Sequence, residues 1–99
     1  IMMLREVVQE KPSHENAQFN LGILSVKSGQ LDKAVDRFNN VLEINPARED
    51  AGFLLARCYA DLGQKQKAVE LLNKLIKNSK NKEIADQSAA LLSQININQ

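Results

Sequence analysis

The chain repeats itself every 34 residues, and that period restricts its fold more than any other feature. Shifted by 34 places, Pro12 falls on Pro46, Ala17 on Ala51, Phe19 on Phe53, Leu21 on Leu55, Gly29 on Gly63, Lys33 on Lys67, Ala34 on Ala68, Val35 on Val69 and Asn39 on Asn73. Apolar matches extend the register: Leu4 with Phe38 and Leu72, Val7 with Val41 and Leu75, Val8 with Leu42 and Ile76. A unit of this length is one supersecondary element that buries its apolar face only against its neighbours.

Within each period the apolar residues recur at helical spacing, and Gly or Pro separates one run from the next. The spacing predicts helices at about Glu15–Ser28, Leu31–Ile44, Glu49–Leu62, Lys65–Asn78 and Lys82–Gln94. Gly29 and Gly63 supply left-handed turns between paired helices. Pro46 stops the second helix, since it lacks an amide hydrogen and biases Asn45 away from helical backbone. Where Lys80 replaces that proline, the helix is expected to run longer. Ala17, Leu21 and Leu24 are expected inward on one helix, and Ala34, Phe38, Val41 and Leu42 on the next. The chain reads as one domain: residues 1–12 a second helix of an incomplete repeat, 15–48 and 49–82 full repeats, 83–94 a capping helix and 95–99 a tail. It opens at Ile1 in mid-pattern, so the expectation is a piece of a longer protein. Only 4% of residues are aromatic, Trp is absent and there are 4 Gly and 2 Pro, a balance that favours an all-α fold.

The net charge of +1 gives no global field for nucleic acid or anionic lipid. Its distribution is uneven: residues 1–63 carry seven Lys/Arg against nine acids, residues 64–99 six Lys against three. A single cysteine, Cys58, excludes a disulfide within the chain and leaves the redox compartment open. There is no apolar run of membrane-spanning length and no signal-like segment, so localisation is left open between cytoplasm and periplasm.

Against the pattern W-x2-L-G-x2-Y, A-x3-F and P over 34 positions, the chain places Gln18-x2-Leu21-Gly22-x2-Ser25, Ala34-x3-Phe38 and Pro46, then Gly52-x2-Leu55-Ala56-x2-Tyr59 and Ala68-x3-Leu72. In this it resembles the tetratricopeptide repeat family over nearly all of its 99 residues. Gly22, Ala34, Ala56 and Ala68 stand where helices approach closely and a larger side chain would overpack. Three departures stand out: Gln18 and Gly52 at the leading aromatic, Lys80 at the late proline, and Ala89-Ala90 at Leu-Gly of the last helix. With Gln87, Ser88, Ser93 and Gln94, that helix reads as a polar cap.

The resemblance implies a right-handed α-solenoid of helix-turn-helix repeats and a concave groove, lined by the first helix of each pair, that holds a peptide or partner protein. Carried onto this chain, the groove would use Asn16, Phe19, Asn20, Ile23 and Lys27 from the first such helix. The second would add Phe53, Leu54, Arg57 and Asp61, and the last Gln87 and Leu91; Val26, Asp50, Ala60, Ile84 and Ser88 share those faces. Phe19, Ile23, Phe53 and Leu54 read as an apolar trough, with Asn20 facing ligand backbone and Arg57 a ligand carboxylate or carbonyl; the two phenylalanines equally suit filling the space of the missing tryptophans. Some relatives grip chaperone C-termini with Lys, Asn and Arg from successive helices. Here Asn20 matches the Asn, but Asp50 and Leu54 stand at basic positions, so no preference for such acidic tails is expected.

Other chemistry is poorly provided for. His14, placed in a loop before a helix, is distant in sequence from Cys58, which takes the same place as Leu24 and Leu92 and reads as a buried structural thiol. One His and one Cys do not make a zinc site, and no phosphate loop is present; neither cofactor nor metal is expected, and the chain is not read as an enzyme. Lys65, Lys67, Lys74, Lys77, Lys80 and Lys82 form a basic concentration without interleaved aromatics, so it reads as a solvated convex face, and no nucleic-acid partner is expected. Direct membrane contact is not expected either. The alternative to a peptide-binding scaffold is a self-assembly module: the apolar side of Met2, Met3, Leu4, Val7 and Val8 lacks a hairpin mate, which favours a homo-oligomer through the N-terminal helix.

Overall fold

A computed structural model describes residues 12–97 of the chain. They form five helices joined by short turns: α1 (Pro12–Lys27), α2 (Leu31–Ile44), α3 (Glu49–Asp61), α4 (Lys65–Asn78) and α5 (Lys82–Ile97). Each packs on its neighbour in sequence, and α3 also meets α5. The result is an elongated slab of 47 × 29 × 19 Å. Residues 1–11, to which the period assigns a further helix and the self-associating apolar side, lie outside the described residues.

The turns follow from local chemistry. Gly29 and Gly63 have φ of +77° and +83°, the left-handed backbone that only glycine enters without strain. Around each, two amides close the preceding helix: Gln30 N–H donates to Ser25 O (2.8 Å) and Gly29 N–H to Val26 O (3.0 Å), and Gln64 and Gly63 do the same to Tyr59 and Ala60. Pro12 already lies in α1, ahead of the expected start at Glu15. His14 is therefore helical, and half-buried, rather than in a loop.

α2 and α4 are of equal length, 14 residues each, so the loss of proline at Lys80 does not lengthen the second of them. Ser79 takes extended backbone there, its hydroxyl donates to Glu49, and the Asn81 amide donates to that hydroxyl (3.0 Å). Asn81 in turn accepts from the amides of Glu83 and Ile84 and starts α5.

Two core clusters run through the slab. The first joins Ala34, Phe38 and Val41 of α2 to Ala51, Leu55 and Cys58 of α3; the second joins Ala56, Ala68, Leu72 and Ile95. Gly22, Ala34, Ala56 and Ala68, the small residues at the close approaches, are all buried. On α1 the expectation is corrected: Ala17, Leu21 (39%) and Leu24 (59%) are exposed. Their counterparts Ala51, Leu55 and Cys58 are buried against a preceding helix, and no described helix takes that place beside α1.

α5 also departs from the expected phase. Ser88 is fully buried and Ile95 nearly so, while Ala89 and Ala90 are exposed. Bulky Ile84, Leu91 and Ile95 bury more apolar area than the alanines would, and they turn that stripe inward. Ser88 thus belongs to the core rather than to the polar cap or a groove, and Ile95 is core rather than tail.

Candidate functional site

The candidate site is the set of side chains on α1, α3 and α5. Its apolar members are anchored in the core. Phe19, Ile23 and Leu54 are half-buried against the first cluster, Phe53 and Leu91 against the second. Phe19 meets Phe38 with ring centroids 5.8 Å apart. Its polar members Asn16, Asn20, Lys27, Arg57, Asp61 and Gln87 are exposed. Asp61 and Leu91 come together in a small hollow of about 150 Å³ with Lys65 and Gln94. Phe19, Ile23 and Leu54 thus form one apolar group and Phe53 and Leu91 another, according to the cluster each is packed on.

Arg48, absent from the sequence expectation, organises the first of these groups. Its guanidinium lies 4.1 Å from the Phe19 ring centre. Nη1 donates to Glu15 Oε2 (3.0 Å) and Asn16 Oδ1 (2.9 Å), and Nε to Asp50 Oδ1 (2.9 Å). Burial would lower the pKa of Arg48, but the hydrogen bonds it donates to Asp50 and Glu15, with the charges of those carboxylates, outweigh it and the net direction is upward. One side chain thus fastens the start of α3 to α1 and lids Phe19, leaving Asn16 engaged rather than free.

A carboxylate latch recurs with the period. Glu15 accepts from Asn45 (3.2 Å) and Arg48 in the loop after α2; Glu49, 34 positions on, accepts from Ser79 and from the Lys80 amide (2.8 Å) in the loop after α4. The Ser79 hydroxyl first, and then the Lys80 amide, hold the Glu49 carboxyl below its ordinary range. The signal was present in the sequence as a Glu at 15 and 49, but glutamate is common in first helical turns and the period alone does not name its partner.

Cys58 is 3% exposed, and burial together with Asp61 pushes its thiol up to about 11, against the smaller opposing pull of Arg57. It stays protonated at neutral pH. Among the described residues no cluster of His, Cys, Asp or Glu can hold a metal ion, and no helix is long and apolar enough to cross a membrane.

Helical hairpins repeated at 34 residues, with small residues at the close approaches and chain-anchored apolar groups between exposed polar ones, define an all-α helical-repeat protein. The family model of the tetratricopeptide repeat matches residues 25–95, and the chain belongs to that family. Its repeats generally mediate protein–protein interaction, and its members are typically non-catalytic scaffolds. No curated protein matches the chain significantly.

Proposed function

We propose that the chain is a non-catalytic scaffold that holds a peptide segment of a partner protein against α1, α3 and α5. The observation that carries this reading is the anchoring of Phe19, Ile23, Leu54, Phe53 and Leu91. Each has one side fixed in a core cluster and the other accessible, with exposed Asn20, Arg57 and Gln87 beside them. Side chains already immobilised lose little entropy when a ligand covers them, which favours binding over mere exposure. Asn20 then bonds ligand backbone, Arg57 pairs a carboxylate or carbonyl, and Lys27 and Asp61 flank the ends.

A displayed peptide library selected on the wild-type chain tests this. Selected peptides should lose binding by about tenfold or more, the effect of ~1.4 kcal/mol, to an Asn20→Ala/Arg57→Glu variant that remains helical by circular dichroism. Phe19 is a poor test residue, since its loss disturbs the packing with Phe38 and Arg48. Undiminished binding to the variant would refute the assignment.

A second reading rests on the exposed Leu21, Leu24 and Val26 of α1: self-assembly of chains through that end. Concentration-dependent sedimentation abolished by Leu24→Asp, with peptide selection failing, would favour it.

A further inference from the structure

Arg48 has donors that its own chain does not use. A guanidinium carries five N–H groups, and three are taken: Nε by Asp50, and Nη1 by Glu15 and Asn16. Nη2 donates to nothing among the described residues. It is not sealed off either, because Ser88 Oγ is the one buried polar side-chain atom among them without a partner. The side chain is only 19% exposed and is packed on the Phe19 ring. A donor already held in place and partly stripped of water gains more from an acceptor than a freely moving one does. Lys27 and Arg57, the other cations of the candidate site, have no such hold, since neither makes an ion pair among the described residues and both are exposed.

The surroundings of Nη2 decide what it can accept as a partner. Glu15 and Asp50 flank Arg48, so one cation stands against two carboxylates. A ligand carboxylate placed at Nη2 meets that surplus of negative charge, and a neutral acceptor does not. Asn16 adds no acceptor, because its Oδ1 is taken by Arg48 and only Nδ2 is left to donate. The neutral group that this calls for is a carbonyl, and a polypeptide main chain carries one on every residue. Asn20 repeats the Asn16 amide one turn further along α1, about 6 Å away by helical rise, and both are exposed. Carbonyls on the same side of an extended chain recur every ~7 Å, which matches that spacing.

We infer that Arg48 is a specificity-determining residue of the proposed peptide site: through Nη2 it takes a main-chain carbonyl of a bound extended segment, while Glu15 and Asp50 turn away an acidic side chain at that place. This rests on the α1–α3–α5 reading, to which it adds the start of α3 and the conformation of the ligand.

Two measurements test it. A displayed library of random decapeptides is selected in parallel on the wild-type chain, on Glu15→Gln/Asp50→Asn, and on Asp32→Asn/Asp36→Asn, which removes the same charge from exposed positions of α2. Peptides from the first variant are expected to be richer in Asp and Glu than those from wild type and to bind that variant roughly tenfold tighter than wild type. The α2 variant should select as wild type does. In the second measurement, the side-chain Nη resonances of Arg48 are followed in the wild-type chain as a peptide selected on it is titrated in. A saturable shift is expected, diminished when sulfur replaces the oxygen of one main-chain carbonyl of the peptide. This readout changes nothing in the protein and decides the matter even if the Glu15→Gln/Asp50→Asn variant does not fold. Unmoved Nη resonances, or acidic enrichment no greater on that variant than on the α2 variant, overturn the inference and leave peptide binding through Asn20 and Arg57 standing. A library that yields no peptide on wild type overturns both.

Discussion

Gly22 and Phe38 occupy a shared volume, and neither choice makes sense without the other. A Cβ at Gly22 would sit 2.6 Å from Phe38 Cε1, on a ring that is fully buried and has nowhere to move. One repeat later the same places hold Ala56 and Leu72, a larger residue facing a smaller one. Gly22→Ala should therefore cost ~1–3 kcal/mol, and adding Phe38→Leu should recover most of that loss by restoring the Ala–Leu pairing. Urea unfolding of the single and double variants checks this, and simply additive losses would contradict it. The small residues were legible in the sequence because the repeat pattern demands them; that Phe38 presses on Gly22 was not, because it depends on how α2 packs on α1.

Glu49 gives a pH signature at the same scale. Its folded pKa lies below the ordinary 4.5 because Ser79 and the Lys80 amide bond the ionised form. The unfolded chain then binds more protons between the two values, so the stabilisation is fully present above about 4.5 and is lost as pH falls through the folded value. Glu49→Gln should be less stable than wild type at neutral pH, with the gap closing below that window. Thermal melts across pH 3–7 measure it, and a gap independent of pH would rule the latch out.

Among elements, α5 is where the sequence misleads. Extending the period places Ala85, Ala89 and Leu92 where α3 has Ala51, Leu55 and Cys58, yet Ser88 and Ile95 are the residues buried. A period carries helix phase only where both flanking helices constrain it, and among the described residues α5 packs chiefly on α4 and α3. The rotation leaves the Ser88 hydroxyl buried with no hydrogen-bond partner in the described structure, at a cost of ~1–3 kcal/mol. Ser88→Ala is expected to raise stability by about 1 kcal/mol, readable as a shifted urea midpoint with unchanged slope. A fall in stability would mean that the hydroxyl is satisfied in solution. The other helices were legible because glycine and proline act locally, without reference to what a helix packs against. Arg48 was not, since its four partners come from α1, α3 and the ring of Phe19.

At the scale of the whole molecule, stability accumulates between neighbouring helices, because each described helix packs on those adjacent to it. Protection should then follow position in the stack. Amide hydrogen exchange is expected to be slowest in α2, α3 and α4, which carry most of the two clusters, and faster in α1, whose Leu21 and Leu24 face outward. Protection of α1 equal to that of α3 would contradict the exposure of that face.

If α1, α3 and α5 together hold a partner peptide, amide chemical-shift mapping with a peptide selected on the wild-type chain will show it. Saturable shifts are expected, concentrated at Asn20, Leu54, Arg57 and Gln87 and their neighbours on those three helices. Shifts confined to α2 and α4, or spread evenly with no saturation, would contradict it.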